Sequence, residues 1–464
     1  MTNRINTTPQ INLDRALQEG PTLAERATQV AIQKLGTKPA HAPVEEFYLK
    51  QAWNNLKASL AGFSTYGIMS EIESSLASPT IQIEHFEQLA KKLNFDTENL
   101  SVDQLPLGIY SFAHLSEDVA TRALWTALGK IIQLPKLEKL DEIKAWFNDP
   151  ANTQLLNTIE KLDLSGKGLK VLPPPLVKLT HLKVLLLANN ELNYIPDWLG
   201  ENLVQLEALN LSKNLFHEIP ESITYFSKLK TFCMNDNKIS SISKGVCELK
   251  NLTVLSLSGT RISEIPKEIA QLSKLETLML ASNQITKIPK VIGALTELKY
   301  LNLNENEIGE LPEAMSQLKQ LATLELAKNK FTKVPKVIWL LDSLISLSLP
   351  YNEISEIPSE CRYLTHLDYL NLNNNKITKI SEDICRLAHL EILSLENNQL
   401  TEIPEHIGNF VAVLALNNNK LELLPKCWSN PGKIEVLSLE NNPIKDIPED
   451  LPRSGQRGDM SYSL

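Results

Sequence analysis

Residues 369–380 read YLNLNNNKITKI: a short apolar alternation, three asparagines in a row, then another apolar pair. Asparagine is a poor strand former and a turn seeker, so a strand followed at once by a sharp change of direction is implied. The same cadence, L-x-L-x-x-N-x-[LI]-x-x-[ILV]-P, returns from residue 160 onward. Its asparagine position falls at Lys167, Asn190, Asn214, Asn237, Thr260, Asn283, Asn306, Asn329, Asn352, Asn375, Asn398, Asn419 and Asn442. The interval is 23 residues, except for 24 between Asn190 and Asn214 and 21 between Asn398 and Asn419. Thirteen units at so constant a spacing define a repeat array.

This pattern resembles the leucine-rich repeat family in its 23-residue class, over about residues 158–450. The resemblance implies an α/β solenoid: a parallel sheet of about 13 strands on the concave side, with a short helix or 3₁₀ turn returning along the outside. Within the family it is similar to cytoplasmic Ras-pathway scaffolds and to effectors of intracellular bacteria. The residues agree with that architecture. Leu370 and Leu372 point to one face and Asn371 to the other. One unit has too small a core to fold alone, so neighbours must stack. Eleven of the thirteen units place proline six residues after the asparagine position, Ser243 and Ser381 being the exceptions. Proline there opens a helical turn. The asparagine itself is expected to turn inward and satisfy backbone groups where the strand bends away.

Four residues after the asparagine position, seven successive units read Glu264, Lys287, Glu310, Lys333, Glu356, Lys379 and Glu402. Stacking should lay these charges side by side as an alternating ladder.

Ahead of the repeats the pattern predicts a flexible segment over 1–40, with a short helical candidate at 24–36, and a helical domain over 41–157. One helix carries Leu49, Ala52, Trp53, Leu56, Leu60 and Phe63 on a stripe, and a second Ile83, Phe86, Leu89 and Leu93. A third is expected to open at Ser116, with acidic residues first and lysine near its end, and a fourth lies within LEKLDEIKAWFN. This domain is expected to cap the first repeat. A flexible tail is expected over 451–464, leaving the last repeat poorly covered.

A net charge of −9 argues against a nucleic-acid binder. No apolar run spans a membrane, and the N-terminus lacks a secretory core, so a cytoplasmic chain, or one delivered into a host cell, is expected. Five scattered cysteines make neither a disulfide framework nor a zinc site. Cys361 reads as core, and Cys247 and Cys385 sit among small residues. Cys233 faces outward on a strand. His366 and His389 occupy equivalent places in neighbouring units, an incomplete metal site. No P-loop or GxGxxG occurs and glycine numbers 17, so no cofactor is expected. The chain reads as non-enzymatic.

In the resembled fold the residues two, four and six before each asparagine face the concave side. The richest cluster spans units seven to eleven: Tyr300, Asn302, Asn304, Glu325, Tyr369, Asn371, Asn373 and Glu396, with Glu305 and Tyr351 at the rim. Tyrosine offers large contact area with few rotors. The expected function is binding a protein partner with a basic or mixed polar face, as a bacterial effector acting on host proteins. A cytoplasmic scaffold, or an enzyme in the helical domain targeted by the repeats, is the alternative. Trp198 is a second expected exposed contact.

Overall fold

Each unit contributes three residues of strand to a parallel sheet in the computed structural model, which describes residues 105–425 and 433–445. The helices expected at 24–36, 44–63 and 78–95, and the terminal segments expected to be flexible, lie outside the described residues. The strands follow in chain order: β1 (Lys161–Asp163), β2 (Val184–Leu186), β3 (Ala208–Asn210), β4 (Thr231–Cys233), β5 (Val254–Ser256), β6 (Thr277–Met279), β7 (Tyr300–Asn302), β8 (Thr323–Glu325) and β9 (Ser346–Ser348). A two-residue strand β10 (Glu356–Ile357) precedes β11 (Tyr369–Asn371), and another, β12 (Lys379–Ile380), precedes β13 (Ile392–Ser394), β14 (Val413–Ala415) and β15 (Val436–Ser438). β10 and β12 pair with each other; the other thirteen form the sheet anticipated from the repeat. In the three-residue strands the central residue, leucine except for Phe232, is buried, and the residue three before each ladder position, leucine except for Met234, is buried with it.

The ladder asparagine closes each unit onto the one before. Asn375 donates through Nδ2 to the carbonyls of Leu349 (3.0 Å), Leu372 (3.0 Å) and Asn373 (3.3 Å), and its Oδ1 accepts the Ile354 N–H at 3.0 Å. Such a side chain exhausts its donors and answers backbone groups that the turn leaves unpaired. Asn283, Asn306, Asn329, Asn352 and Asn398 repeat the pattern. Thr260 breaks it. Its hydroxyl donates to Leu257 O (3.0 Å) and Asn283 Oδ1 (2.5 Å), and neither bond reaches the preceding unit. The Ile239 N–H, which an asparagine at 260 would satisfy, has no acceptor among the described residues.

The residue before the ladder position takes a left-handed conformation in unit after unit, with φ from 51° at Lys328 to 58° at Tyr351. Gly259 holds the place before Thr260 at φ 66°, and a Cβ there would collide with the Asp236 carboxylate.

The outer return is mostly a five-residue 3₁₀ turn, as in Lys290–Ala294 and Glu313–Gln317. Proline sits just before the turn rather than as its first residue, its fixed φ setting the entry (Pro289 at −70°, Pro312 at −72°). The two exceptions carry a true side-chain cap. Ser243 accepts from Val246 N and Ser381 from Asp383 N.

Contacts gather the described residues into two compact units, 105–182 with 189–203 and 183–188 with 204–445. In the first, α1 (Leu105–Leu128) lies against β1 and the Pro174–Lys178 turn, and α2 (Leu140–Asn148) contacts α1 and that same turn. Leu124, Leu128, Ile143 and Phe147 are buried between them. Trp125, Trp146 and Phe147 meet edge to face at 5.1–5.7 Å. The helix expected to open at Ser116 begins upstream, at Leu105, so Glu117 and Asp118 lie mid-helix, away from the N-terminal dipole. Asp118 instead pairs with Lys144 of α2 at 2.6 Å.

The expected charge ladder does not close. From Glu264 to Glu402 the column forms no ion pair among the described residues, although Glu356 stands opposite Lys379 in register. All seven side chains are exposed, and water leaves nothing to hold two flexible ends together. Pairs form in other columns, among them five that join residues one unit apart: Glu207–Lys230 (2.8 Å), Glu276–Lys299 (3.0 Å), Glu305–Lys328 (2.6 Å), Glu307–Lys330 (2.5 Å) and Glu353–Lys376 (2.8 Å).

Candidate protein-binding face

Strand register fixes which of the expected contact residues stand together. Tyr300, Thr323, Ser346 and Tyr369 form one row across β7, β8, β9 and β11, and Asn302, Glu325, Ser348 and Asn371 form the next. Asn304 and Asn373 follow two residues on, and Glu305 and Tyr351 occupy the left-handed turn positions. Glu396 belongs to the unit after Asn373. Sequence and structure therefore bring the ten expected residues to one face of five consecutive units.

Four of the asparagines also have internal work. In a parallel strand alternate N–H groups point to opposite neighbours, and the N–H two residues before the ladder position meets no carbonyl. In most units a side chain supplies the acceptor. Asn302 Oδ1 takes the Asn304 N–H and Asn371 Oδ1 takes the Asn373 N–H, each at 3.0 Å. In the next unit Asn304 Oδ1 accepts from Ala327 N (2.6 Å), and Asn373 Oδ1 from Glu396 N (2.8 Å). Asn235 and Asn417 do the same for Ser258 and Glu440, each at 2.8 Å. Where neither kind of acceptor is present, after Ala327, the position is filled by Pro350, which has no N–H to satisfy. The reading from sequence saw these asparagines as contacts only. The proline at 350, one unit after Ala327 stands in the asparagine's place, was the available signal.

The remaining polar atoms are held in place. Asn302 Nδ2 donates to Tyr300 Oη (3.3 Å) and Asn371 Nδ2 to Tyr369 Oη (3.1 Å). Asn373 and Asn417 donate to the two oxygens of Glu396, at 3.1 and 2.9 Å. At the rim, Lys328 and Ser282 (2.8 Å) both donate to Glu305. The lysine hydrogen bond, then the serine one, holds the Glu305 carboxyl below the usual carboxylate range, and Glu305 raises Lys328 in return. Glu325 receives only a long contact from Asn304 Nδ2, at 3.5 Å, and has no ion-pair partner among the described residues.

Four left-handed positions carry long side chains that gain nothing there: Lys213, Glu305, Lys328 and Tyr351. Elsewhere the place is filled by asparagine, aspartate or glycine, which tolerate positive φ, and once by the small Ser282. Three of the four are consecutive, at the rim of the cluster, and Tyr351 is 55% exposed.

Other expectations resolve differently. Trp198, read as an exposed contact, is buried in the short helix Asp197–Asn202, whose turn carries the ring inward; its indole nitrogen has no partner among the described residues. Cys361 is core as expected. Burial pushes its thiol, and that of Cys247, up to about 12. Cys233 is half-buried, and desolvation raises its thiol too, away from the reactive thiolate. His366 and His389 stack with parallel rings, centroids 6.3 Å apart, and His366 Nδ1 meets the Asp342 carbonyl at 2.9 Å. Among the described residues no three His, Cys, Asp or Glu side chains gather as a metal site, and no helix is long and apolar enough to cross a membrane.

The leucine-rich repeat model matches residues 227–285, 250–308 and 342–400, and the leucine-rich repeat region model matches 290–368. The chain is a leucine-rich repeat protein. Among solved structures the repeats are similar to a leucine-rich repeat protein of Leptospira interrogans, at 29% identity and a TM-score of 0.54, covering 68% of this chain and 98% of that one. They are also similar to the plant peptide hormone receptor RGFR1 in complex with RGF2, at 28% identity and a TM-score of 0.51, covering 58% and 45%. An internalin, InlF of Listeria monocytogenes, shares the fold at 23% identity and a TM-score of 0.51, covering 69% and 92%. Two curated proteins also match: an adenylate cyclase of Schizosaccharomyces pombe, 27% identical over 168 residues, and a probable inactive serine/threonine-protein kinase, roco10, of Dictyostelium discoideum, 33% identical over 109. The matches cover 34% and 23% of this chain but only 10% and 4% of those proteins.

Proposed function

We propose that this leucine-rich repeat protein is a non-catalytic binding protein. It docks a partner protein with a basic or mixed polar surface on the concave face of units seven to eleven. The observation that carries the reading is the run Glu305, Lys328 and Tyr351. Long side chains occupy three successive left-handed positions that asparagine or glycine would fill without strain. Strain kept against local preference is a mark of a functional surface. The likeness to a receptor solved in complex with a peptide hormone supports a binding role. Partner affinity measured after Tyr300→Ala, Glu325→Ala and Tyr369→Ala tests it. A loss of about tenfold in at least one is expected, and unchanged affinity in all three would remove the reading.

For its setting we favour a bacterial effector acting on host proteins over a cytoplasmic scaffold, because the Leptospira interrogans likeness covers 98% of that chain. A translocation reporter fused to the chain should give signal inside host cells. Silence in that assay, with the fusion made at normal levels, would leave the scaffold.

A further inference from the structure

Two of the units that line the concave face carry the same words. YLNLN at 300–304 returns as YLNLN at 369–373, three units later. The copies also share their hydrogen bonds. In each, the asparagine of the strand donates to the phenol oxygen two residues earlier and accepts the N–H two residues later. In each, the next asparagine accepts an N–H from the following unit. Both tyrosines are thus pinned at one end, and at a strand spacing of about 4.8 Å they stand roughly 14 Å apart along the sheet.

Between these two walls lie the strands of units eight and nine, and their outward residues are small: Thr323, Ser346, Ser348 and, beyond them, Ala327. One long side chain rises from this floor, Glu325, in register between Asn302 and Ser348. The nearby lysines are already engaged, Lys299 with Glu276 and Lys328 with Glu305, and Glu325 has no ion-pair partner among the described residues. A carboxylate left without a counter-ion, standing on a floor of small side chains between two fixed aromatic rings, matches one kind of visitor. A planar guanidinium can bond a carboxylate in bidentate fashion and stack on tyrosine.

We propose that the recess between Tyr300 and Tyr369 receives an arginine side chain of the partner, with Glu325 as its counter-ion. The proposal rests on the concave-face reading and gives it a specific anchor. Glu325 supplies charge, the two tyrosines supply flat walls, and Asn302 and Asn371 hold those walls upright. The small residues of units eight and nine leave the room.

A displayed library of random-sequence peptides, selected on the intact chain, tests the assignment. Arginine should be enriched at one position of the recovered peptides. Glu325→Gln keeps the side-chain shape and should weaken those peptides about tenfold, the worth of one charge-assisted contact. Glu325→Lys should select aspartate or glutamate at that position instead. Peptides that lose affinity on Tyr351→Ala but show no arginine preference, or keep it in Glu325→Gln, would overturn the arginine assignment and leave the concave-face reading standing. Recovery of no enriched sequence, or of peptides indifferent to Tyr300→Ala, Tyr351→Ala and Tyr369→Ala alike, would overturn both.

Discussion

The Asn375 carbonyl oxygen, Oδ1, accepts the N–H of Ile354, 21 residues earlier, at 3.0 Å, while its amide donates to Leu349 of that same preceding unit. One side chain therefore closes its own turn and bolts it to its neighbour. Asn375→Ala leaves a buried N–H and several carbonyls without partners, and a loss of about 3 kcal/mol in unfolding free energy is expected from chemical denaturation. Asn374→Ala, one residue away, is the control and should cost less than half as much.

Thr260 is the place where this bolt is missing. The amide of Ile239 should exchange with solvent faster than those of Phe216 and Ile262, which the ladder asparagines Asn237 and Asn283 protect. Thr260→Asn should slow that exchange and add about 1 kcal/mol. Equal exchange at the three amides in the native chain would contradict the account.

Tyr351 sets stability against binding. Glycine accepts positive φ without strain, so Tyr351→Gly should stabilise the fold by about 1 kcal/mol. The same change removes exposed aromatic surface from the rim and should weaken partner binding. A variant that gains stability and keeps full affinity would show the tyrosine to be idle.

Glu305 offers a titration. Its folded carboxyl lies below the ordinary glutamate value because Lys328 and Ser282 donate to it. The stabilisation is present above the unfolded value and is lost as pH falls through the lower folded one. NMR should place the Glu305 midpoint below its unfolded value in the native chain and shift it upward in Lys328→Met. No upward shift would mean the lysine is not the main cause.

The thiols of Cys247 and Cys361, pushed up to about 12 by burial, should resist alkylation at neutral pH until the chain is unfolded. Rapid labelling of either in the native state would show that its unit opens readily.

The strands, the inward leucines and the asparagine ladder were legible because every unit makes the same backbone demands, and sequence spacing alone states them. Features that depend on side-chain direction were not. The column from Glu264 to Glu402 has the right spacing for pairing, but exposed ends have no restraint to meet. Trp198 follows a proline in a variable column, and only the helical turn of 197–202 carries it inward. Ser116 has the chemistry of a cap, yet the helix runs through it from Leu105. On the candidate face, the placement of the residues was legible and their internal hydrogen bonding was not, since an asparagine that satisfies its neighbour's amide looks in sequence like any polar surface residue.

The two YLNLN walls lie a whole number of strands apart, and this makes the array a ruler. The gap between Tyr300 and Tyr369 changes only by insertion or loss of a complete unit, in steps of about 4.8 Å, because each unit, whatever its exact length, adds one strand to the sheet. If the recess takes the proposed arginine, selectivity for a partner's size would be digital, whereas selectivity for its charge, set by the single residue at 325, would change with one codon.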